Sequence, residues 1–273
     1  DNRVTNISAI KLAEIQGSKR INKLVENGNY IYAATGFSII KLDPSKNEVR
    51  DTYYPTNGND PILDIAFKND SIYAITSDRL YKGKTSNIAL ADPTQWQVDS
   101  RVPVLTNNQY SEIEVAGNEL FILYNDDAFG LDSVFRLEDQ GLVSVVNELF
   151  TMEIKSINNV NDNLAVNFFD GTNIYKNDFT IEESILVYSA SANVRPRKIV
   201  RSDGHYWVAD EENGLVKYAS YGNSQEIAFP GPPKNSYYAM DWFQGKLVVA
   251  GGSLAGEAGT FNKSGIYIFE DEK

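Results

Sequence analysis

One histidine and no cysteine in 273 residues leave little material for nucleophilic or transition-metal chemistry. A Ser–His–Asp triad or a His-rich metal site would have to be built on His205. That residue stands in Asp203-Gly-His-Tyr-Trp207, at the entry to a predicted strand and far from any nucleophile motif. Strand entries need polar turn residues, so His205 is read as one of these. The absence of cysteine removes disulfides, thiolate metal sites and cysteine nucleophiles, and leaves the redox compartment open.

Three acidic or glycine-rich stretches invite further chemistry. Asp210-Glu-Glu-Asn-Gly214 holds adjacent carboxylates, as a glycosidase might. Glu-Asn-Gly is also an ordinary turn between strands, and neighbouring turn carboxylates point to solvent, so the turn reading is preferred. Asn125-Asp-Asp-Ala-Phe-Gly-Leu-Asp132 has calcium-loop character at Asn125 and Asp127. Phe129 occupies the next ligand position, however, and no bidentate Glu follows at the required distance, so a solvated hairpin loop is preferred. Gly251-Gly-Ser253 and Gly256 to Gly259 are glycine-rich, but no helix follows to supply the amides of a phosphate cradle. No catalytic residue, metal ligand or cofactor is assigned.

One basic cluster stands out from a chain of net charge −12: Arg195-Pro-Arg-Lys198 and Arg201, close to Tyr206 and Trp207. Guanidinium groups grip phosphates and carboxylates, and aromatic rings stack on sugar faces. Arg195, Arg197, Lys198 and Trp207 are therefore the candidate ligand-binding residues, with Tyr237 added from the last unit of the chain. The simpler reading is ordinary surface charge beside strand-core aromatics. The overall acidity argues against nucleic acid, which needs a basic footprint.

These residues must be positioned by strands. Tyr30-Ile-Tyr-Ala-Ala-Thr-Gly-Phe-Ser-Ile-Ile-Lys-Leu-Asp43 alternates with period two on either side of a Gly turn. With Ile21–Glu26 before it and Asn47–Tyr54 after it, four antiparallel strands occupy about forty residues, and such a sheet cannot bury both faces alone. The chain repeats the unit. Second strands are expected to start near 30, 71, 119, 163, 205 and 246, giving steps of 41, 48, 44, 42 and 41. Four short strands per step of this size predict an all-β fold, a β-propeller of about six four-stranded blades. The sixth unit lacks a fourth strand, and the N-terminal strand at residues 3–7 is expected to complete it and close the ring. The whole of 1–273 is read as a single propeller domain. The Asn125–Asp132 and Gly251–Ser264 insertions join second to third strands; Pro55–Pro61, Val102–Gln109 and Pro230–Ser236 join one blade to the next. All five are expected on one face, where function usually sits. No apolar window is long enough to span a membrane.

Asn2-Arg-Val-Thr-Asn-Ile-Ser8, Gly17-Ser-Lys-Arg-Ile-Asn22, Tyr32-Ala-Ala-Thr-Gly-Phe37 through Asp51-Thr-Tyr-Tyr54, and Tyr73-Ala-Ile-Thr76 with Trp96 carry a family resemblance. Over residues 1–102 the chain resembles the N-terminal propeller region of PorZ proteins, surface components of the type IX secretion system of Bacteroidota. The resemblance implies a piece of a longer exported protein at the cell surface or in the periplasm. It also implies partners among secretion-system proteins such as the sortase, and anionic lipopolysaccharide; because no stretch assembles nucleophile, base and oxyanion donors, the chain is read as a non-enzymatic scaffold. The alternative is the ligand-sensing periplasmic propeller of a hybrid two-component regulator. A propeller enzyme using Asp210, Glu211 and Glu212 is the third reading.

Overall fold

The computed structural model describes residues 14, 18–58, 60–107, 109–126, 132–147, 153–189 and 192–227; beyond these, only the strands between 237 and 270 are described, by their pairing alone. The expected closing strand at 3–7, most of the two insertions and the Pro230–Ser236 connection lie outside the described residues. Contacts divide the chain into two compact units, 1–225 and 226–273.

The first unit holds five four-stranded blades whose strand order follows chain order. Blade 1 is β1 (Ile21–Asn27), β2 (Tyr30–Thr35), β3 (Ile39–Asp43) and β4 (Glu48–Tyr53). Blade 2 is β5 (Asp64–Lys68), β6 (Ser71–Ile75), β7 (Leu80–Lys84) and β8 (Gln97–Val98). Blade 3 is β9 (Tyr110–Ala116), β10 (Glu119–Tyr124), β11 (Ser133–Glu138) and β12 (Gly141–Asn147). Blade 4 is β13 (Ile154–Val160), β14 (Asn163–Phe168), β15 (Gly171–Tyr175) and β16 (Ile181–Ile185). A two-stranded hairpin, β17 (Val187–Ser189) with β18 (Ala192–Asn193), leads to blade 5: β19 (Pro196–Ser202), β20 (His205–Asp210), β21 (Gly214–Ser220) and β22 (Asn223–Ile227). The second unit contains a sixth sheet of three strands, β23 (Tyr237–Phe243), β24 (Lys246–Gly251) and β27 (Gly265–Glu270). Between the last two lies a small pair, β25 (Leu254–Ala255) and β26 (Ala258–Gly259). The fold is that of a β-propeller, and all six second strands begin at the positions the repeat predicts.

Local chemistry sets the hairpins. The first two strands of blades 3, 4 and 5 are joined by Gly117-Asn118, Asn161-Asp162 and Asp203-Gly204, both residues of each pair having positive φ. Two left-handed residues make the tight turn whose twist matches that of the strands it joins, and Asn, Asp and Gly tolerate that conformation best. The Thr35-Gly-Phe-Ser38 turn is held differently. Thr35 Oγ1 accepts from the Ser38 amide at 3.0 Å and donates to the Ser38 carbonyl at 2.8 Å, and Thr76 repeats both bonds with Arg79 in blade 2. Gly36 is required there by close approach, since a Cβ would stand 2.4 Å from the Ser18 carbonyl oxygen.

The core lies between blades. Tyr32, Ala34, Ile39 and Tyr53 of blade 1 meet Ile62, Ile65, Ile72, Tyr81 and Trp96 of blade 2. Equivalent apolar clusters fill the seams between blades 2 and 3, 3 and 4, and 4 and 5. Each blade thus buries its faces against its neighbours, which is why the unit must repeat. Phe37 packs with Ala33, Ile40, Leu42, Val49 and Tyr54, all of its own blade.

The first strands β1, β5, β9, β13 and β19 touch in succession. An innermost strand leaves one edge of backbone groups unpaired, and buried backbone groups need partners. Side chains of one blade supply them to the next. Asp64 accepts from the Ile113 amide at 3.3 Å, Glu112 from the Ile157 amide at 2.8 Å, and Asn158 from the Ile199 amide at 3.2 Å. Asn22 donates to the Ile62 carbonyl at 2.7 Å and Ser156 to that of Arg197 at 2.5 Å.

Candidate functional site

The register of β19 and β20 separates the basic cluster. Lys198 opposes Ala209 and Val200 opposes Trp207 on one face of blade 5, while Ile199 opposes Val208 and Arg201 opposes Tyr206 on the other. A bulge between Pro196 and Lys198 sets Arg197 apart from that alternation. Arg195 and Arg197 therefore come together at the entry end of β19, whereas Lys198 and Trp207 share a different surface. Trp207 is half-buried, with the Lys217 ammonium 5.6 Å from its ring centre. Tyr237 begins β23 in the second unit, and its side chain lies outside the described residues.

Each arginine of the cluster is matched by a carboxylate. Arg195 reaches Glu212 at 3.2 Å, Arg197 reaches Glu211 at 2.5 Å and Arg201 reaches Glu182 at 3.1 Å. Asp210 is buried and occupied by the fold, accepting from Tyr188 Oη at 2.8 Å and from the backbone amides of Arg195, Glu212 and Asn213. Burial, reinforced by that carboxylate, holds the Tyr188 phenol far above its ordinary pKa. Asp210-Glu-Glu is thus a turn with its own cationic partners. His205 Nδ1 lies 2.7 Å from the Asp203 carbonyl oxygen, beside the turn. Of the acidic Asn125–Asp132 stretch, Asp132 accepts from the Asp126 amide at 2.9 Å and the Ile154 amide at 2.7 Å, tying blade 3 to blade 4; residues 127–131 lie outside the described residues.

The residue that sequence reasoning passed over is Phe169. It follows β14 and is 45% exposed, although a large aromatic ring is usually covered. The Arg195 guanidinium lies 3.7 Å from its ring centre and donates to the Phe169 carbonyl at 3.0 Å. The Lys155 ammonium stands 5.4 Å from the ring centre. Leu186, 53% exposed, covers Gly171, where a Cβ would come within 2.7 Å of its side chain, and Val187 beside it is exposed as well. The β14–β15 turn and the blade 4–blade 5 connection thus bring Phe169, Leu186, Val187 and Arg195 to the same loop-side end of these blades, the end expected to carry function. An aromatic ring capped by a guanidinium has little side-chain freedom left to lose on being covered.

A polar cleft of about 650 Å³ lies elsewhere, lined by Lys68, Arg101, Glu119, Arg136, Glu138 and Asp139. Its cations are also matched: Lys68 with Glu119 at 3.2 Å, Arg101 with Asp99 at 2.6 Å, and Arg136 with Glu138. Among the described residues no three His, Asp or Glu side chains converge as a metal site, and no helix is long and apolar enough to cross a membrane.

Residues 1–97 match the family model of the N-terminal β-propeller domain of PorZ, of the type IX secretion system. No curated protein sequence matches the chain. Among solved structures, the chain is similar to PorZ, an essential surface component of the type IX secretion system of Porphyromonas gingivalis, with TM-score 0.68 and 21% identity. That match covers 97% of this chain and 35% of PorZ, so the chain spans about a third of that protein's length. The extracellular domain of a hybrid two-component system of B. thetaiotaomicron aligns with TM-score 0.57 at 13% identity, over 90% of this chain and 32% of that one. Regucalcin of Agrobacterium tumefaciens, a calcium-binding protein, aligns with TM-score 0.51 at 11% identity, over 86% and 85%. At these identities the structural likenesses speak for the fold alone.

Proposed function

We propose that this chain, PorZ-like in fold and over residues 1–97 in sequence, is a non-catalytic interaction module of a type IX secretion surface assembly. It acts outside the cytoplasm, and its contact surface is the patch of Phe169, Leu186, Val187 and Arg195 on blades 4 and 5. The observation that carries the reading is the exposed Phe169 ring held beneath the Arg195 guanidinium. Aromatic and arginine anchors of this kind dominate protein contact energies. The pairing of Arg195 with Glu212 and of Arg197 with Glu211 favours a protein over anionic lipopolysaccharide, because a phosphate would have to displace a carboxylate already in place.

The test is titration of the full chain against purified type IX sortase and, in parallel, against lipopolysaccharide micelles. Phe169→Ala and Leu186→Asp should each weaken sortase binding at least about tenfold while leaving the fold intact. Wild-type affinity in both variants, or no binding by the intact chain, would refute the reading. Stronger binding to lipopolysaccharide, abolished by Arg197→Ala, would transfer the role to the glycolipid. The sensor alternative predicts a kinase encoded downstream in the same reading frame, and that reading rests on likeness of fold alone.

A further inference from the structure

Aligning the five described blades on their registers places one residue of each inner strand at a common position: Lys23, Asp64, Glu112, Ser156 and Lys198. Each precedes an aliphatic residue of the same strand (Leu24, Ile65, Ile113, Ile157, Ile199), and their sequence steps of 41, 48, 44 and 42 repeat those of the second strands. Glu114 stands two residues beyond Glu112 on the same side of β9. Round the inner strands the charge therefore runs positive, negative, negative, neutral, positive.

The contacts are directional. Lys23 Nζ donates to Asp64 at 3.1 Å, Asp64 takes the Ile113 amide, and Glu112 takes the Ile157 amide. Asp64 is fully buried, and Glu112 and Glu114 are half-buried. Among the described residues the groups that face them are Lys23 from β1, Asp64 from β5 and Lys198 from β19, with the neutral Ser156 and Asn158 from β13. Within that set three carboxylates share two ammonium groups. Like charges so placed repel, and burial removes the water that would screen them.

We propose that this inner-strand carboxylate cluster is a proton-operated tether, holding blades 2, 3 and 4 together more tightly when it binds protons. Protonation removes the repulsion while leaving a carbonyl oxygen to accept the Ile157 amide. In keeping with this, burial raises Glu112 to about 7 against the opposing pull of the Ile157 amide and Lys23. Burial also raises Glu114 and Asp64, with Lys23 opposing in each case. For Lys23 burial works in the lowering direction, but Asp64, Glu114 and Glu112 outweigh it and its pKa stands above the ordinary lysine value. A carboxyl whose folded pKa is raised gives stability that is complete below its unfolded pKa and lost as pH rises through the folded one. For Glu112 that window runs from about 4.5 to about 7.

Thermal unfolding of the full chain and of Glu112→Gln, followed from pH 5 to 8.5, tests the tether. Glutamine stands in for the protonated acid and keeps an acceptor for Ile157. The wild-type Tm should fall by several degrees more than the variant's between pH 5 and 8, on the order of 5 °C. Parallel profiles would overturn the proposal, since repulsion from the chain's net charge acts on both proteins alike. If Glu112→Gln fails to fold, carboxyl NMR titration of the wild type decides. A Glu112 midpoint near 7 supports the tether, and one near 4.5 overturns it.

Discussion

Asp210 shows how a residue with chemical potential can be wholly committed to the fold. Its carboxylate accepts from Tyr188 Oη, from the amides of Arg195 and Glu212, and from both the backbone and the side chain of Asn213. Removing it strands several buried donors at once. Asp210→Ala should therefore cost about 3 kcal/mol or more in urea unfolding, and Asp210→Asn, which keeps one acceptor oxygen, should cost less. If both variants unfold at the wild-type urea concentration, the carboxylate is not the pin described here. Sequence pattern placed Asp210 in a turn but gave no sign of Tyr188, which lies 22 residues earlier and meets it only through the β17–β18 connection. Phe169 was equally hidden. An aromatic residue after a strand looks the same in sequence whether it faces the core or solvent, and only the approach of Arg195 distinguishes this one.

At the scale of elements the sequence was far more legible. Period-two alternation and Asn-, Asp- or Gly-bearing turns are local signals, so the start of each second strand could be read from a few neighbouring residues. What was not legible is what the turns touch. Gly117 combines φ +53 with a Cβ position 1.9 Å from Asn177 of the next blade, whereas Gly28 has φ +61 and open space around it. Gly117→Ala should destabilise by about 2 kcal/mol and Gly28→Ala by about 1 kcal/mol, in thermal or chemical unfolding. Adding Asn177→Ala should restore part of the Gly117 loss but none of the Gly28 loss. Equal losses at the two glycines would mean that the blade 3–blade 4 approach is not tight. Phe179 acts at the same seam: a bulky residue at φ +61, it directs its ring edge-on to Phe121, with centroids 6.0 Å apart.

Across the whole molecule, the repeat explains both the fold and the charge order on its inner strands. Lys23, Asp64, Glu112 and Lys198 are scattered in sequence, yet they fall into one row once the steps between second strands are applied to them. That alignment was available from the sequence; the hydrogen bonds it forms across blades were not, because they depend on how neighbouring blades stack. The register of β19, with its bulge, dispersed the basic cluster, leaving Arg195 and Arg197 at the loop-side end of blade 5 and Lys198 in the inner row. The three arginines of the cluster are paired with carboxylates, and the exposed feature left beside them is apolar. The central claim, that the face bearing Phe169 is where this scaffold meets its partner, is tested most directly by amide hydrogen exchange of the full chain with and without purified type IX sortase. Slowed exchange should appear in residues 169–171 and 186–195, with the opposite turns at 28–29, 69–70 and 117–118 unchanged. Protection confined to those opposite turns, or no protection anywhere, would contradict it.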